Sequence, residues 1–401
     1  MHEDPLPQIK YSIVISGYHN SILVILNDIF ELPTLKYIYA PNVITSQVND
    51  PSLMPGRIRQ KNVLCQNVTN TRDTSCSTSF DSGNPPICRI SSINSIVNCN
   101  YCTMTDYKHD ILVGGCKIAL TGGVDSMSMA PYAVRDIRFG TRLGSDPIME
   151  DTLWASLTDS YCKTPMGVTA ENLSAKYNIT REDADAFALK SQLNWKAGAD
   201  GGHFDAEITP VTVKSRKGPV EFTVDEHPKP NTKIEGLAKL PTVFKKNGTV
   251  TPGSASGICD GAGAVVIASE EACTEHNLVP LARLVGYSVA GVDPNIMGIG
   301  PAPAIQALLK KAGLELKDVG MVEINEAFAP QTIACQRELD LDPSILNMDG
   351  GAIALGHPLG ASGARITAHV AHEIRRRGLK YGIGSACIGG GQGIALLLEA
   401  M

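Results

Sequence analysis

The sequence predicts an α/β fold, with helices covering buried sheets in a duplicated, layered arrangement. Three observations carry this. From residue 110 onward, strand-like and helix-like segments alternate, as layered α/β folds require. Two glycine-rich apolar strand segments, near residues 262 and 393, occupy matching places in their halves and point to an internal duplication. The chain has 401 residues, 43% hydrophobic and 19% charged, enough for two or three core-forming units in a soluble globular protein.

Taken in order, residues 1–109 stand apart. They hold one alanine, Ala40, and three glycines, Gly17, Gly56 and Gly83, of the chain's 38. Residues 67–84 are nearly all polar and show neither a helical nor a strand period. Natural domains are consistent in local texture, so this stretch reads as an atypical segment rather than as a divergent domain. Residues 118–124 then read as a strand ending in a glycine turn. Residues 151–200 read as helical, with Thr169 and Thr180 each capping a helix ahead of early acidic residues. Residues 205–256 form a loop-rich excursion, and the run from Asp260 to Ala268 is a buried strand. A second unit begins near Val279. It runs strand, helix 301–312, strand 320–324, helix 329–339, a glycine-rich loop, helix 361–377 and two closing strands.

Two loops of that unit carry reactive side chains. The stretch Gly350-Gly-Ala-Ile-Ala-Leu-Gly-His357-Pro-Leu-Gly-Ala-Ser-Gly363 places an imidazole among small residues, and Ser385-Ala-Cys387-Ile-Gly389-Gly-Gly-Gln-Gly393 does the same for a thiol. Glycines at this density let backbone N–H groups approach a ligand. A Cys and a His joined by the fold suit acyl or proton transfer. Either loop alone could be a buried Cys in a turn or a His at a helix start. Both together favour chemistry.

With Asn325-Glu326-Ala327-Phe328-Ala329, these loops resemble the thiolase family over roughly residues 110–401. The stretches Ala130-Pro-Tyr132, Met166-Gly-Val-Thr-Ala-Glu-Asn172 and Val224-Asp-Glu-His227 are most similar to its mitochondrial-type 3-ketoacyl-CoA branch. The resemblance implies a thiolase fold of two duplicated αβαβα-type halves. The first half is incomplete, because its opening elements fall within residues 1–109. Its remainder spans 110–270, with a CoA-binding loop insertion over about 130–255, and the second half spans 277–401.

The implied activity is acetyl-CoA C-acyltransferase in fatty-acid β-oxidation: a Cys takes the acyl group from a 3-ketoacyl-CoA, acetyl-CoA leaves, and CoA collects the chain. Cleavage releases an enolate, which needs an acid and a site for oxygen charge. By resemblance Cys387 is that acid and later the base, and His357 activates the nucleophile and donates to the thioester oxygen. Asn325 holds a water in the same oxyanion site, and the Gly389 N–H serves a second one. Read from its residues alone, Asn325 would instead be a helix cap. Coenzyme A enters as co-substrate, with no tightly bound cofactor and no metal. Lys229 and Thr232 approach its nucleotide end and Ser256 its pantetheine arm, against the plainer reading of Lys229 as a solvated loop lysine. A homodimer or homotetramer and the mitochondrial matrix are implied in the same way.

The chain departs from the family in three places. Lys229 stands where Arg is common, so a point charge replaces a bidentate fork. Ser254 stands where Asn is common. The Cys-Gly-Ser-Gly turn that carries the nucleophile at a helix N-terminus is absent. Cys88, followed by Ser95-Ile-Val-Asn98, is its nearest echo. Cys99 and Cys102 form a Cys-x-x-Cys pair without the second pair that zinc requires, so all three read as ordinary thiols. The alternatives are therefore a short-chain acetoacetyl-CoA thiolase and a CoA-binding thiolase-fold protein without activity. A ketosynthase relative is disfavoured by the Cys387 loop.

The remaining features bound the function. A net charge of −6 and a pI near 5.9 argue against nucleic acid as a partner. Eleven irregularly spaced cysteines do not make a secreted disulfide framework, which favours a reducing compartment and makes the sequons at Asn67, Asn172, Asn178 and Asn247 chance matches. No apolar run approaches the roughly 18 residues of a membrane span. Residues 1–7 resemble neither a transit nor a signal peptide, and the C-terminus carries no peroxisomal tripeptide. His369, His372 and Glu373 read as a solvated helix face ending in Arg375–Arg377. His203 and His227 read as structural or exposed loop residues, and Cys116 and Cys259 as inert thiols in apolar surroundings.

Overall fold

The computed structural model describes residues 100–216 and 218–401, together with short strands before them. Those strands are β1 (Ser12–Ile13), β2 (Ile15–Ser16), β3 (Ser21–Ile22), β4 (Ser75–Thr78) and β5 (Ile87–Ser91), followed by α1 (Asn100–Leu112) and β6 (Ile118–Asp125). The excursion contains β7 (Tyr132–Val134), β8 (Met149–Asp151), α2 (Thr152–Ser156), α3 (Met166–Lys176), α4 (Arg181–Asp200), β9 (Val211–Ser215), β10 (Gly218–Phe222) and α5 (Ile234–Leu237). The first unit closes with β11 (Gly261–Ser269) and α6 (Glu270–Glu275). The second comprises β12 (Ala282–Gly291), α7 (Pro301–Ala312), β13 (Met321–Ile324), α8 (Ala329–Leu339), α9 (Ala352–Leu355), α10 (Leu359–Arg376), β14 (Tyr381–Ile388) and β15 (Gln392–Ala400).

Among the described residues, one sheet runs β1-β11-β6-β5-β4, with β3 also on β11, and the other runs β13-β14-β15-β12-β2. In the first, β6 pairs antiparallel with β11 (Thr121 opposite Val265) and β5 pairs parallel with β6. In the second, β13 and β14 are parallel, and β15 lies antiparallel between β14 and β12. One apolar core joins α1 and α10 to both sheets, through Met104, Tyr107, Val265, Ile267, Ile366, Val370, Ile394 and Leu396. A second core packs α7 and α8 on the far face of the second sheet, through Ile305, Leu308, Ile333 and Leu397. Helices thus lie between and outside two sheets, the layered α/β arrangement that the alternation of elements predicts.

Local chemistry explains the element boundaries. Pro301 opens α7 and Gly313 ends it at φ +67°, a left-handed residue that glycine adopts cheaply. Thr180 and Asp183 form a reciprocal capping box on α4. The Thr169 expectation is corrected: α3 begins at Met166 after Pro165, so Thr169 lies inside the helix and its hydroxyl donates to Met166 O at 2.6 Å. The solvated histidine face is corrected too, since His369 and His372 are buried, at 2% and 9% exposure. Cys259 is half-buried, and beyond apolar contacts it has the carboxylates of Asp260, Asp125 and Asp225 around it. Cys88 lies within β5, its backbone opposite Leu120 of β6. Cys102 is in α1, whereas Cys99 lies outside the described residues.

Candidate active site

The two parallel strands β13 and β14 end side by side, and their C-terminal ends carry Asn325 and Cys387. Asn325 continues the strand pairing by donating its N–H to Ser385 O at 2.9 Å, two residues before Cys387. Helix α8 starts only at Ala329 with Phe328 as its N-cap, so Asn325 is not a helix cap. Its side chain, 1% exposed, turns instead to the imidazole of His357: Nδ2 lies 3.1 Å from Nε2.

The hydrogen bonds assign the tautomer of His357. Ser362 donates its one hydroxyl proton to Pro358 O (2.9 Å), so at 2.6 Å its Oγ accepts from His357 Nδ1. Nε2 is then the lone-pair nitrogen, facing the Asn325 amide. Burial, with Arg365 nearby, pushes the imidazole pKa down to about 4. A neutral ring, with an unprotonated Nε2 that here accepts from the Asn325 amide, is the form a general base needs. Asn325 Oδ1 is buried and accepts no hydrogen bond from the described residues.

Burial pushes the Cys387 thiol up to about 12, so it is protonated at neutral pH and suited to donate. Its loop needs its glycines. Gly390 and Gly391 adopt φ of +83° and +88°, and a Cβ on Gly391 would sit 2.3 Å from Val292 O. Asp159 anchors the turn by accepting the Gly390 N–H at 3.1 Å. A Cβ added to Gly389 would meet no heavy atom within 4 Å, so the backbone there is open.

The segment 255–257 runs beside both catalytic-type loops. Ser256 donates its N–H and its hydroxyl to Ala327 O, each at 3.0 Å, and Gly257 O accepts the His357 N–H at 3.2 Å. Lys229 and Thr232 belong to a separate turn. Thr232 donates N–H and hydroxyl to Lys229 O (3.0 and 2.7 Å), and Lys229 N donates to Gln192 Oε1 of α4 at 2.7 Å. The Lys229 side chain is exposed. The structure therefore brings Asn325, His357, Cys387, Gly389 and Ser256 onto neighbouring loops, with Lys229 and Thr232 in a turn against α4.

Several residues of this constellation escape sequence reasoning. Glu326, 1% exposed, accepts from Ser191 Oγ (2.6 Å), Asn347 Nδ2 (2.8 Å) and Ile353 N (3.1 Å), and so ties the Asn325 turn to the helix that precedes His357. Asp125 accepts the Gly360 N–H at the start of α10. Ser362 and Asp159 play the supporting parts given above. Only Ser362 carried a local signal, its fixed place five residues after His357.

A model described as "Thiolase, N-terminal domain" matches residues 43–271, and one described as "Thiolase, C-terminal domain" matches residues 278–400. The chain belongs to the thiolase family. Mitochondrial 3-ketoacyl-CoA thiolase of Mus musculus is 61% identical over 296 residues, covering 72% of this chain and 75% of that protein. An acetyl-CoA acetyltransferase of Pseudomonas aeruginosa is 47% identical over 293 residues, covering 72% and 74%. The crystal structure of human mitochondrial 3-ketoacyl-CoA thiolase is 58% identical, with a TM-score of 0.75 over 76% of this chain and 77% of that one. Its complex with CoA gives a TM-score of 0.74 at the same identity, over 76% of each chain. The fold of this thiolase is thus that of the solved thiolases over most of its length. None of the helices is long and apolar enough to cross a membrane, among the described residues.

Proposed function

We propose that this thiolase is an acetyl-CoA C-acyltransferase that cleaves a 3-ketoacyl-CoA with CoA, yielding acetyl-CoA and a shortened acyl-CoA in fatty-acid β-oxidation. The observation that carries it is the neutral His357, its basic Nε2 held by the Asn325 amide beside the strand end that presents Cys387. The greater identity to 3-ketoacyl-CoA thiolases than to acetyl-CoA acetyltransferases favours the longer-chain reading.

In this reading His357 Nε2 takes the proton of a cysteine thiol, and the thiolate attacks the 3-keto carbon. The Gly389 N–H holds the resulting oxyanion. The C2–C3 bond breaks, its electron pair becomes the enolate of acetyl-CoA, and Cys387 protonates that carbon. The Cys387 thiolate next deprotonates CoA, whose sulfur attacks the acyl-cysteine; the acyl–cysteine bond breaks, the shortened acyl-CoA leaves, and the freed cysteine thiolate takes back its proton from His357. His357 and a water on the unpaired Asn325 Oδ1 stabilise the thioester oxygen. Ser256 lies along the pantetheine arm, between the Asn325 and His357 loops. Lys229 and Thr232 meet the nucleotide end, with the ammonium as a point charge on phosphate.

The acyl-accepting thiol is sought in residues 88–102, where Cys88 is the first candidate although its surroundings in the sequence read as those of an ordinary thiol. The test is iodoacetamide labelling with and without 3-ketoacyl-CoA. One fast-reacting cysteine of that stretch, protected by substrate, supports the reading. No protected cysteine there favours a CoA-binding thiolase-fold protein that lacks turnover. A mitochondrial location is inferred from the names of the relatives, and the matrix and a homodimer or homotetramer from the resemblance to the family. An exposed apolar run, with Met129, Phe139, Leu143 and Ile148 at 79% exposure or more, supports a self-contact around β7 and β8.

A further inference from the structure

Behind the His357 loop lies a buried ion network that the chemistry above does not use. Asp349, 2% exposed, sits in the loop that leads from α8 into α9. Its Oδ1 accepts from His203 Nδ1 at 2.7 Å and its Oδ2 from Arg377 at 2.7 Å. His369, also 2% exposed, stands between two carboxylates: Nδ1 lies 2.9 Å from Glu207 Oε1, and Nε2 lies 3.6 Å from Asp349 Oδ2. Arg376 and Arg377 saturate Glu373 at 2.6–2.7 Å. The Asp349 and Glu373 carboxylates, which also lie close to each other, are therefore largely taken by arginine and imidazole donors, which makes an ion network rather than a cation site.

We propose that Asp349 is a positioning residue for His357: with His369 and Glu207 it forms a carboxylate–imidazolium–carboxylate clamp that holds the loop 347–351 against α4 and α10. The chain path gives the clamp its reach. Gly350 follows Asp349 at φ +78°, with its Cα pressed so close to α4 that a Cβ would lie 2.5 Å from Ser191 O. Gly198 of α4 leaves room for the carboxylate, since a Cβ there would meet Asp349 Oδ1 at 3.0 Å. One short helix, α9, then leads to Gly356 and His357. With so little slack, a shift at Asp349 is passed to the imidazole, and displacements of about 1 Å at a reacting group can cost on the order of 100-fold in rate.

The clamp depends on charge. Glu207 from the connection after α4, Asp349 from the loop before α9 and Glu323 from β13 face His369, while His372, Glu373, Arg376 and Arg377 share or follow its helix. These carboxylates hold the His369 pKa well above the ordinary imidazole value, against its burial. A raised histidine pKa contributes stability that is complete below about pH 6.5 and is lost as pH rises through the folded value. Asp349, held well below the usual carboxylate range, sets the acid limit.

The experiment is a histidine Cε1 NMR titration of the full chain, with pH profiles of kcat, for the parent, Asp349→Asn and Glu207→Gln. The clamp predicts that His369 in the parent titrates well above the ordinary imidazole value. Each variant lowers its midpoint, moves the alkaline fall of kcat to lower pH, and reduces kcat at pH 8 on the order of 10-fold with the KM for CoA unchanged. Glu207→Gln leaves the His357 loop untouched and serves if Asp349→Asn does not fold. A parent His369 titrating near 6.5, or variant profiles that superimpose on the parent, overturns the proposal. The clamp matters for rate only if His357 is the base proposed above. If the parent shows no thiolysis, the Cε1 resonance of His357 decides instead: shifted in Asp349→Asn supports the clamp, unchanged refutes it.

Discussion

Replacing Glu326 by Ala tests how the site is held together. The carboxylate is 1% exposed and receives three donors, from Ser191 Oγ, Asn347 Nδ2 and Ile353 N. Burial raises its pKa, so ionising it in place is costly and those donors are what offset the cost. Alanine strands all of them in a site closed to water. One stranded buried donor costs about 1–3 kcal/mol. The costs of three neutral donors do not add fully, so the loss is taken as about 3–5 kcal/mol. In a domain of this size each kcal/mol lowers Tm by roughly 2–4 °C, so Glu326→Ala should melt about 10 °C below the parent. Glu326→Gln keeps two of the three acceptor contacts at most and should lose about half as much. Circular dichroism melting reads the effect, and hydrogen exchange at the Ile353 amide localises it. An alanine variant melting within 2 °C of the parent, with Ile353 still protected, would refute the reasoning.

Further outcomes follow from the same geometry. Cys387→Ala should lower kcat by about 100- to 10,000-fold, the usual worth of a proton-transfer group, while leaving Tm nearly unchanged; steady-state thiolysis and melting read both. Because His357 titrates near 4 when folded, kcat should show no acid limb near pH 6.5. Its depressed pKa means that stability present above about pH 6.5 is lost as pH falls toward 4, which denaturant titrations at pH 7 and 5 would register. Gly350→Ala combines a left-handed φ with a Cβ 2.5 Å from a carbonyl oxygen. It should cost at least about 1–2 kcal/mol, read as a loss of Tm and of His357 tautomer order by NMR.

What was legible in the sequence was local. Helices 301–312 and 329–339 have the predicted bounds because proline at their start and a left-handed residue at their end, Gly313 or Asp340, act over one turn. Helix α10 starts at Leu359 rather than 361 because Pro358 already serves as its N-cap. Thr169 misled because a preceding proline can start a helix four residues earlier than a cap-like threonine suggests. His369 misled for a different reason. Its neighbours Glu207 and Asp349 lie 162 and 20 residues away, and only the fold shows that they meet it. The partner of Asn325 is likewise non-local: 32 residues separate it from His357, and the residues alone favoured a cap. The glycine loops were legible as candidates, but the tautomer of His357 depends on Ser362 and Pro358 in three dimensions.

The most direct test of the central claim is steady-state thiolysis: the full chain with short- and long-chain 3-ketoacyl-CoA and free CoA, following loss of the ketoacyl-CoA enolate absorbance. The account predicts turnover that Cys387→Ala lowers by about 100- to 10,000-fold, with the acyl group mapped by peptide mass spectrometry to one cysteine in residues 88–102. A folded protein that binds CoA but gives no turnover on any chain length would contradict it.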